Sequence, residues 1–191
     1  MLFTIIFNLY NLLNKPQVID YNYLNNSINN SIENIQIERK EYEKVLKERQ
    51  EYLKKHYFNG EEDKQIARKI NRYLNSTLKN KGDYIVEYSL KVGIDPYLVS
   101  AVMLQETGCA WTCSSLTRNC YNVGGNKGTP SCNGGSYRKF SSINEGIRFA
   151  IDKLNSYYKR GLKTPQAINP YYASDKTWYV KINNYMNKLK K

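Results

Sequence analysis

The stretch that decides the fold is Ile94-Asp-Pro-Tyr-Leu-Val-Ser-Ala-Val-Met-Leu-Gln-Glu-Thr-Gly108, which predicts one short apolar helix. Asp95 can cap this helix, Pro96 suits its first turn, and Gly108 is a natural residue at which it ends. The residues in between leave almost no polar face, so we expect the helix to be buried on most sides. Its last turn carries a single carboxylate, Glu106.

Glu106 is therefore the residue that does not fit an apolar helix. Burial would disfavour its charged form and keep the carboxyl protonated near neutral pH, as a general acid requires. The alternative for Glu106, taken alone, is a surface glutamate that caps a helix or forms a salt bridge.

The chain of 191 residues is long enough for one good-sized domain plus an appendage. Its 29 Lys and Arg residues against 17 Asp and Glu residues give a formal net charge of +12, which favours a polyanionic partner. Nucleic acid, an anionic membrane and an acidic cell wall all meet that description. We predict no specific nucleic-acid binding, because the sequence shows neither a cationic reading helix nor an aromatic and basic strand face.

All four cysteines follow the Glu106 helix within one short window, namely Cys109, Cys113, Cys120 and Cys132. This clustering predicts two disulfides, with three connectivities open, and an oxidising compartment. A zinc site is the alternative, but the spacing lacks paired C-x2-C motifs and no histidine is near. A reduced cytosolic protein is the third option. We expect no metal and no cofactor, and an extracellular or cell-wall location.

Three regions are predicted along the chain. Residues 1–30 combine an apolar start with an asparagine-rich tether. The apolar residues 1–13 are too few to span a bilayer comfortably. The options are a degenerate signal segment, retained or cleaved, a shortened signal anchor with weak membrane association, or the apolar face of a first helix. Residues 31–65 form a charged helical stalk, either a solvated helix or a coiled coil that self-associates through 31–57. Residues 66–191 form the compact domain.

Two further details concern the stalk and the domain. His56, the only histidine, lies in the stalk with no expected partner, which removes histidine-based triads from consideration. Within the domain, helical periodicity dominates, and glycine-rich turns over 121–135 predict a small irregular hairpin. The fold class is therefore mainly α with a small β part: a helical lobe and a β-hairpin lobe.

A series of short motifs then follows in order along the domain: Gln105-Glu-Thr-Gly108, Tyr121-Asn-Val-Gly-Gly125, Tyr137-Arg-Lys-Phe-Ser-Ser142 with Glu145-Gly146, Gly161-Leu-Lys-Thr164, and Tyr172-Ala-Ser-Asp175 with Trp178. Together the motifs resemble the lysozyme-like glucosaminidase family of bacterial cell-wall hydrolases. The resemblance covers roughly residues 70–191.

The resemblance implies a lysozyme-like fold with a glycan groove and an endo-beta-N-acetylglucosaminidase-like activity on peptidoglycan. The family's catalytic acid falls on Glu106, and Tyr172 inherits a supporting role in the groove. Asn122, Gly124 and Gly125 match the stretch that lines the cleft, although Tyr121 replaces the family's first Asn. Peptidoglycan strands, with anionic wall polymers beside them, are the implied partners.

Further sugar contacts are expected from side chains that stack on sugars or bond their hydroxyl and acetamido groups, namely Asn122, Tyr137, Tyr171 and Trp178. For Trp178 the alternative is a place in the core, because it lies on an apolar helical stripe.

A second catalytic carboxylate is not evident, because the other acidic residues are better explained as caps or surface groups. Two chemistries work with one acid: assistance by the substrate's N-acetyl group, and attack by the muramoyl 6-hydroxyl as in lytic transglycosylases. The non-enzymatic alternative is a wall-binding component of a secretion, conjugation or phage machine.

Overall fold

The computed structural model describes residues 2–13 and 20–191, and the chain divides into two compact units, Met1–Arg49 and Gln50–Lys191. The first unit contains α1 (Leu2–Leu13) and most of α2 (Tyr21–His56), and α2 has no buried residue. Within the described ranges, no helix combines the length and the apolar character needed to span a bilayer. The predicted division into residues 1–30, 31–65 and 66–191 stays a prediction.

Helix α2 begins at Tyr21, well before the predicted start at Ser31. The reason is Asp20, whose carboxylate accepts hydrogen bonds from the backbone N–H groups of Asn22 at 3.0 Å and Tyr23 at 3.1 Å. Such an N-cap satisfies donors that a helix start leaves free. The asparagine-rich stretch from residue 21 onward is therefore helical rather than a tether, whereas residues 14–19 lie outside the described residues. Self-association through 31–57 stays a prediction.

The two-stranded antiparallel sheet pairs β1 (Tyr57–Phe58) with β2 (Glu61–Glu62). Its turn is Asn59-Gly60, and both residues have positive φ, 50° and 80°. This is the backbone that a two-residue type I′ hairpin turn requires and that Asn-Gly favours. The regular strands thus form here, and not in the glycine-rich segment 121–135.

His56 has a partner, contrary to our expectation. The hairpin reverses the chain and brings the start of α3 back to the end of α2, so that His56 Nδ1 lies 2.9 Å from Asp63 Oδ2. The histidine therefore joins the end of the long helix to the first residue of α3.

The second unit is otherwise helical: α3 (Asp63–Asn71), a 3₁₀ turn (Ser76–Leu78), α4 (Gly82–Val92), α5 (Pro96–Thr107), α6 (Ser115–Cys120), α7 (Ile143–Lys159), α8 (Pro165–Tyr172) and α9 (Trp178–Leu189). The side-chain oxygens of three residues accept hydrogen bonds from backbone N–H groups in the first turn of the helix that follows: Asp95 at α5, Ser142 at α7 and Thr164 at α8. These starts agree with the sequence patterns.

Helix α5 lies at the centre of the core. Leu98, Val99, Met103 and Leu104 have no exposed surface, and α5 packs against α3, α4, α7 and α9. Burying one such side chain stabilises the fold by about 1.5–3 kcal/mol relative to leaving it exposed. The predicted fold class, mainly helical and lysozyme-like, is confirmed.

The segment between α6 and α7 is an irregular hairpin, fixed by two isolated antiparallel bridges, Lys127 with Tyr137 and Ser131 with Arg138. All four cysteines form disulfides, as predicted, and the connectivity is Cys109–Cys113 and Cys120–Cys132. The second bond ties the end of α6 to this hairpin, which has little apolar content of its own.

Candidate active site

The position of Glu106 depends on where α5 begins and ends. Asp95 Oδ1 accepts from Tyr97 N at 2.8 Å and fixes the start, while Gly108, in the left-handed conformation at φ 69°, ends the helix. Leu104 and Thr107 on either side of Glu106 are buried, yet the Glu106 side chain is exposed. The expectation that burial desolvates this carboxyl was therefore wrong, because the last turn of α5 emerges at the surface.

Trp178, the first residue of α9, holds the Glu106 carboxylate. Its indole Nε1–H donates to Glu106 Oε1 at 3.0 Å, and the Trp178 ring is only 4 % exposed. A hydrogen bond to a charged acceptor fixes both distance and direction. Trp178 is thus a core residue with one polar atom at the site. We had expected its ring to stack on a sugar, but the buried ring is not free to do so.

Replacement of Trp178 by Phe is expected to lower cleavage about tenfold, because the ring packing is largely kept while the hydrogen bond to Glu106 is lost. The reason for this moderate effect is that Glu106 keeps its place in the chain and loses only its fixed orientation. Steady-state kinetics on soluble wall fragments would measure it, with thermal unfolding as the check on folding. A rate equal to that of the wild type would show that this bond does not orient the carboxyl.

Tyr172, the last residue of α8, lies beside Trp178 with a ring-centroid distance of 4.8 Å. Burial raises the pKa of the Tyr172 phenol, and the negative charge of Glu106 and the neighbouring Tyr157 raise it further. The phenol therefore stays protonated and neutral through the physiological range. Trp178 thus links the two residues, because it donates to Glu106 and its ring lies against that of Tyr172.

Lys153 is a site residue that the sequence analysis missed. It lies on α7, partly buried, with its Nζ 5.1 Å from the centroid of the Tyr172 ring and 3.2 Å from Asn126 Oδ1. Burial lowers the pKa of Lys153, whereas the charge of Glu106 raises it. The signal was in the sequence: a lysine three residues after Ala150 falls on the buried stripe of its helix.

Asn122 is 1 % exposed and all its amide atoms are used within the protein. Its Nδ2 donates to the backbone oxygens of Asn126 and Arg138, both at 2.8 Å, and its Oδ1 accepts from Asn126 N at 2.9 Å. Asn122 therefore braces the loop and is not available as the predicted sugar contact. Beside it, Gly124 is buried, and Gly125 is exposed at φ 59°, a conformation that favours glycine.

The two remaining aromatic candidates are exposed. Tyr137 is 42 % exposed and belongs to a bridge with Lys127, and Tyr171 is 57 % exposed under the Arg160 guanidinium at 4.8 Å. Neither has a ring contact with Tyr172 or Trp178 in the part of the chain that the structure describes. Their role as sugar contacts stays a prediction.

Three other acidic side chains of the domain, Asp95, Glu145 and Asp175, have structural partners. Asp95 caps α5, Glu145 accepts from the Ser141 hydroxyl at 2.6 Å, and Asp175 pairs with Lys181 at 2.8 Å. Each of these carboxylates is thus occupied in holding a helix start or a turn.

Trp111 was also missed by the sequence analysis. It is 88 % exposed in the loop closed by the Cys109–Cys113 disulfide, which follows Glu106 directly. Asn75 holds this loop, because its Nδ2 donates to Ala110 O at 2.7 Å. The loop therefore presents an aromatic ring to solvent from a fixed backbone.

The domain is helical and lysozyme-like, and it presents one glutamate that an indole orients and a neutral tyrosine flanks. Together the fold and this site define a glycosidase-like class of protein. Residues 82–191 match the family model for glucosaminidase, described as mannosyl-glycoprotein endo-beta-N-acetylglucosaminidase. Because the match covers more than half of the 191 residues, the chain belongs to the glucosaminidase family. No curated protein matches the chain. The family match supports a cell-wall hydrolase, a glycosidase with peptidoglycan as its substrate.

Proposed function

We propose that this protein hydrolyses the glycan backbone of peptidoglycan with Glu106 as its single general acid. The observation that carries the proposal is the hydrogen bond of 3.0 Å from Trp178 Nε1, which orients an otherwise exposed carboxyl beside Tyr172. Because one oxygen of the carboxyl accepts from the indole, the other is available for the proton that is transferred. A bound glycan would cover this exposed carboxyl and exclude water from it.

In the proposed reaction, Glu106 donates its proton to the glycosidic oxygen while the bond from that oxygen to the anomeric carbon breaks. The leaving sugar departs as a neutral alcohol, and the acetamido oxygen of the remaining sugar bonds to the anomeric carbon to form a cyclic intermediate. Water then attacks that carbon and gives a proton back to the Glu106 carboxylate, which restores the acid and the acetamido group. This route needs no second carboxylate.

Tyr172 is the residue that we propose to stabilise the positive charge that develops at the anomeric carbon. Its ring lies next to Trp178 at 4.8 Å and its phenol stays neutral, so it offers a hydroxyl oxygen to the site without adding charge. We also propose that it positions the acetamido group, because a protonated phenol can donate a hydrogen bond to that group.

Two substitutions of Tyr172 separate these contributions. Tyr172→Phe keeps the ring and should lower kcat about tenfold through loss of the hydroxyl, whereas Tyr172→Ala should lower it further because the ring is lost as well. Kinetics on soluble wall fragments would measure both, with Tyr23→Phe, at an exposed tyrosine of α2, as the control. Equal rates for wild type and Tyr172→Ala would remove Tyr172 from the mechanism.

The products decide between hydrolysis and transglycosylation. Hydrolysis leaves a reducing end that carries the elements of water, and attack by the muramoyl 6-hydroxyl leaves an anhydro end that lacks them. Mass spectrometry of fragments released by the wild type, beside a Glu106→Gln digest, is the test. Anhydro products that depend on Glu106 would show that the protein is a lytic transglycosylase and not a hydrolase.

The location that we propose is outside the cytoplasm, at the cell wall. Two disulfides pair all four cysteines, which is typical of an oxidising compartment. The net charge of +12 would hold the protein on anionic wall polymers beside its substrate.

A further inference from the structure

An open cleft of about 640 Å³ lies along helix α3, ahead of the segment 82–191 that matches the family. Its walls are polar or charged side chains only: Glu61, Gln65, Arg68, Lys69 and Arg72. Arg72 is the C-cap residue of α3 and keeps a helical conformation, so it lies one turn beyond Arg68 on the same face. Both arginines are exposed, and the cleft therefore presents two guanidinium groups to solvent.

Glu61 is the one acidic residue among these walls, and both its oxygens are already bonded. Oε1 pairs with Lys69 Nζ at 2.7 Å, and Oε2 accepts from the Tyr97 hydroxyl at 2.6 Å. Burial raises the pKa of this carboxyl, whereas the hydrogen bonds from Lys69 and Tyr97 lower it, and the resulting pKa lies below its ordinary value. Glu61 is therefore ionised at neutral pH, and Lys69 already balances its charge.

The two arginines have no such partner. Among residues 2–13 and 20–191, no carboxylate forms a salt bridge with Arg68 or Arg72. Like charges one helical turn apart repel each other, so this pair disfavours the end of α3 unless an anion lies between them. The stability of the helix therefore does not explain why two guanidinium groups stand here, whereas a bound anion does.

The segment that follows α9 adds a further cation. Lys69 Nζ donates to the backbone oxygen of Lys190 at 2.9 Å, so this segment lies beside α3. The Lys190 ammonium lies 5.6 Å from the centroid of the buried Tyr97 ring, and its charge acts on Glu61. Four cationic side chains are thus grouped near one carboxylate, namely Arg68, Lys69, Arg72 and Lys190.

The lining of the cleft indicates which anion fits. Guanidinium groups bind phosphate oxygens through paired N–H donors, and two of them in a row suit a chain of successive phosphates. None of the five lining side chains is aromatic, so the bases of a nucleic acid have no ring to stack on. None has an apolar tip that could enter a bilayer. The lining therefore favours a phosphate-bearing polymer without bases or acyl chains.

From this arrangement we propose that the cleft binds a linear wall polymer whose units are joined by phosphodiester groups, with Arg68 and Arg72 in contact with the phosphates. The choice of polymer rests on the proposed function, since a wall hydrolase works where such polymers are present. The cleft shares no lining residue with the Glu106 site. Binding here would hold the enzyme at the wall and leave Glu106 free for the glycan.

Binding of a fluorescently labelled oligomer of glycerol phosphate tests this site without any cleavage. Fluorescence polarisation at physiological salt gives the affinity of the full-length protein. The double variant Arg68→Gln with Arg72→Gln should bind about tenfold more weakly, because two charge-assisted contacts are lost. The matched control is Arg49→Gln with Arg148→Gln, at exposed arginines of α2 and α7, and should change the affinity by no more than about twofold.

The control removes the same net charge, so it separates the cleft from a general attraction of anions to a basic protein. Equal affinity of the two double variants, each shown by thermal unfolding to be folded, would overturn the proposal. Single-stranded DNA with the same number of phosphates should bind no more tightly than the glycerol phosphate oligomer, because the cleft offers nothing to its bases. Tighter binding of DNA would overturn the assignment to a wall polymer.

The outcome is independent of the proposed cleavage. The Arg68 and Arg72 double variant should cleave soluble wall fragments at the wild-type rate, and Glu106→Gln should bind the oligomer as the wild type does. Weaker binding by that double variant supports the cleft even if Glu106→Gln digests walls at the wild-type rate, which would refute only the general acid. Conversely, loss of digestion in Glu106→Gln with equal binding by the two double variants would overturn only the cleft.

Discussion

Glu106→Gln is expected to lower the rate of wall solubilisation by about 10²–10⁴-fold, the range that one general acid contributes to catalysis. The amide has nearly the size of the carboxyl, and its oxygen can still accept the hydrogen bond from Trp178 Nε1. The substitution therefore removes the transferable proton while keeping the geometry of the site. We expect thermal stability to change little, since the side chain is exposed.

The matched control for this experiment is Glu87→Gln. Glu87 is exposed on α4 and makes no hydrogen bond or salt bridge in the described part of the chain, so its loss removes the same charge without touching the site. Turbidity of a suspension of purified walls gives the rates, and a zymogram confirms that the activity belongs to this chain. Digestion by Glu106→Gln at the rate of Glu87→Gln would refute the general acid.

Binding of the same variant to walls separates the enzyme from the non-enzymatic alternative. The proposed glycosidase predicts that Glu106→Gln sediments with walls as the wild type does, because its basic surface is unchanged, but releases no soluble fragments. If the wild type also sediments and releases nothing, the chain is a wall-binding protein on a lysozyme-like scaffold.

The helices of the domain could be predicted from the sequence because their ends are set by local interactions. Asp95 and Pro96 start α5 and Gly108 ends it, and each of these effects involves residues within one or two turns. The same locality explains the error at α2, where Asp20 was overlooked as a cap. The starts of α5, α7 and α8 thus followed from the sequence, because their capping residues Asp95, Ser142 and Thr164 were recognised.

The contacts of the candidate site could not be predicted in the same way. Periodicity placed Glu106 on an apolar helix, but it does not show where the last turn leaves the core. The bond from Trp178 joins residues 72 positions apart, and the approach of Lys153 to Tyr172 depends on how α7 packs against α8. Residue patterns report which face of a helix is apolar, and not which neighbour that face meets. Only the family resemblance linked Glu106 to Tyr172.

Asn122 shows the reverse case, in which a motif residue has a structural role. The resemblance implied a cleft residue, and the structure shows a buried amide that bonds three backbone groups at 2.8–2.9 Å. A position that lines a cleft can therefore act by holding the loop that carries other contacts. Here that loop supplies Asn126, the acceptor for Lys153.

The second large effect is expected for stability: Gly146→Ala should destabilise the domain by about 3 kcal/mol or more, at the upper end of overpacking costs. Gly146 lies in the first turn of α7, and a Cβ added there would overlap the carbonyl oxygen of Tyr121. Tyr121 cannot easily move, because it ends α6 in the left-handed conformation at φ 54°. The contact is between two backbones, so no flexible side chain can relieve it.

Thermal unfolding measures this effect, with an expected decrease in Tm of roughly 6–12 °C for a domain of this size. Gly135→Ala is the matched control, because a Cβ at that exposed glycine meets only the Cys132 carbonyl oxygen, at 3.4 Å, and its change should stay within about 0.5 kcal/mol. The Tyr121 carbonyl begins the loop that contains Asn126, so Gly146→Ala should also weaken the contact with Lys153. If Gly146→Ala has the stability of the wild type, α7 and this loop can separate without a cost in the free energy of unfolding. Asn126 could then not hold Lys153 in place.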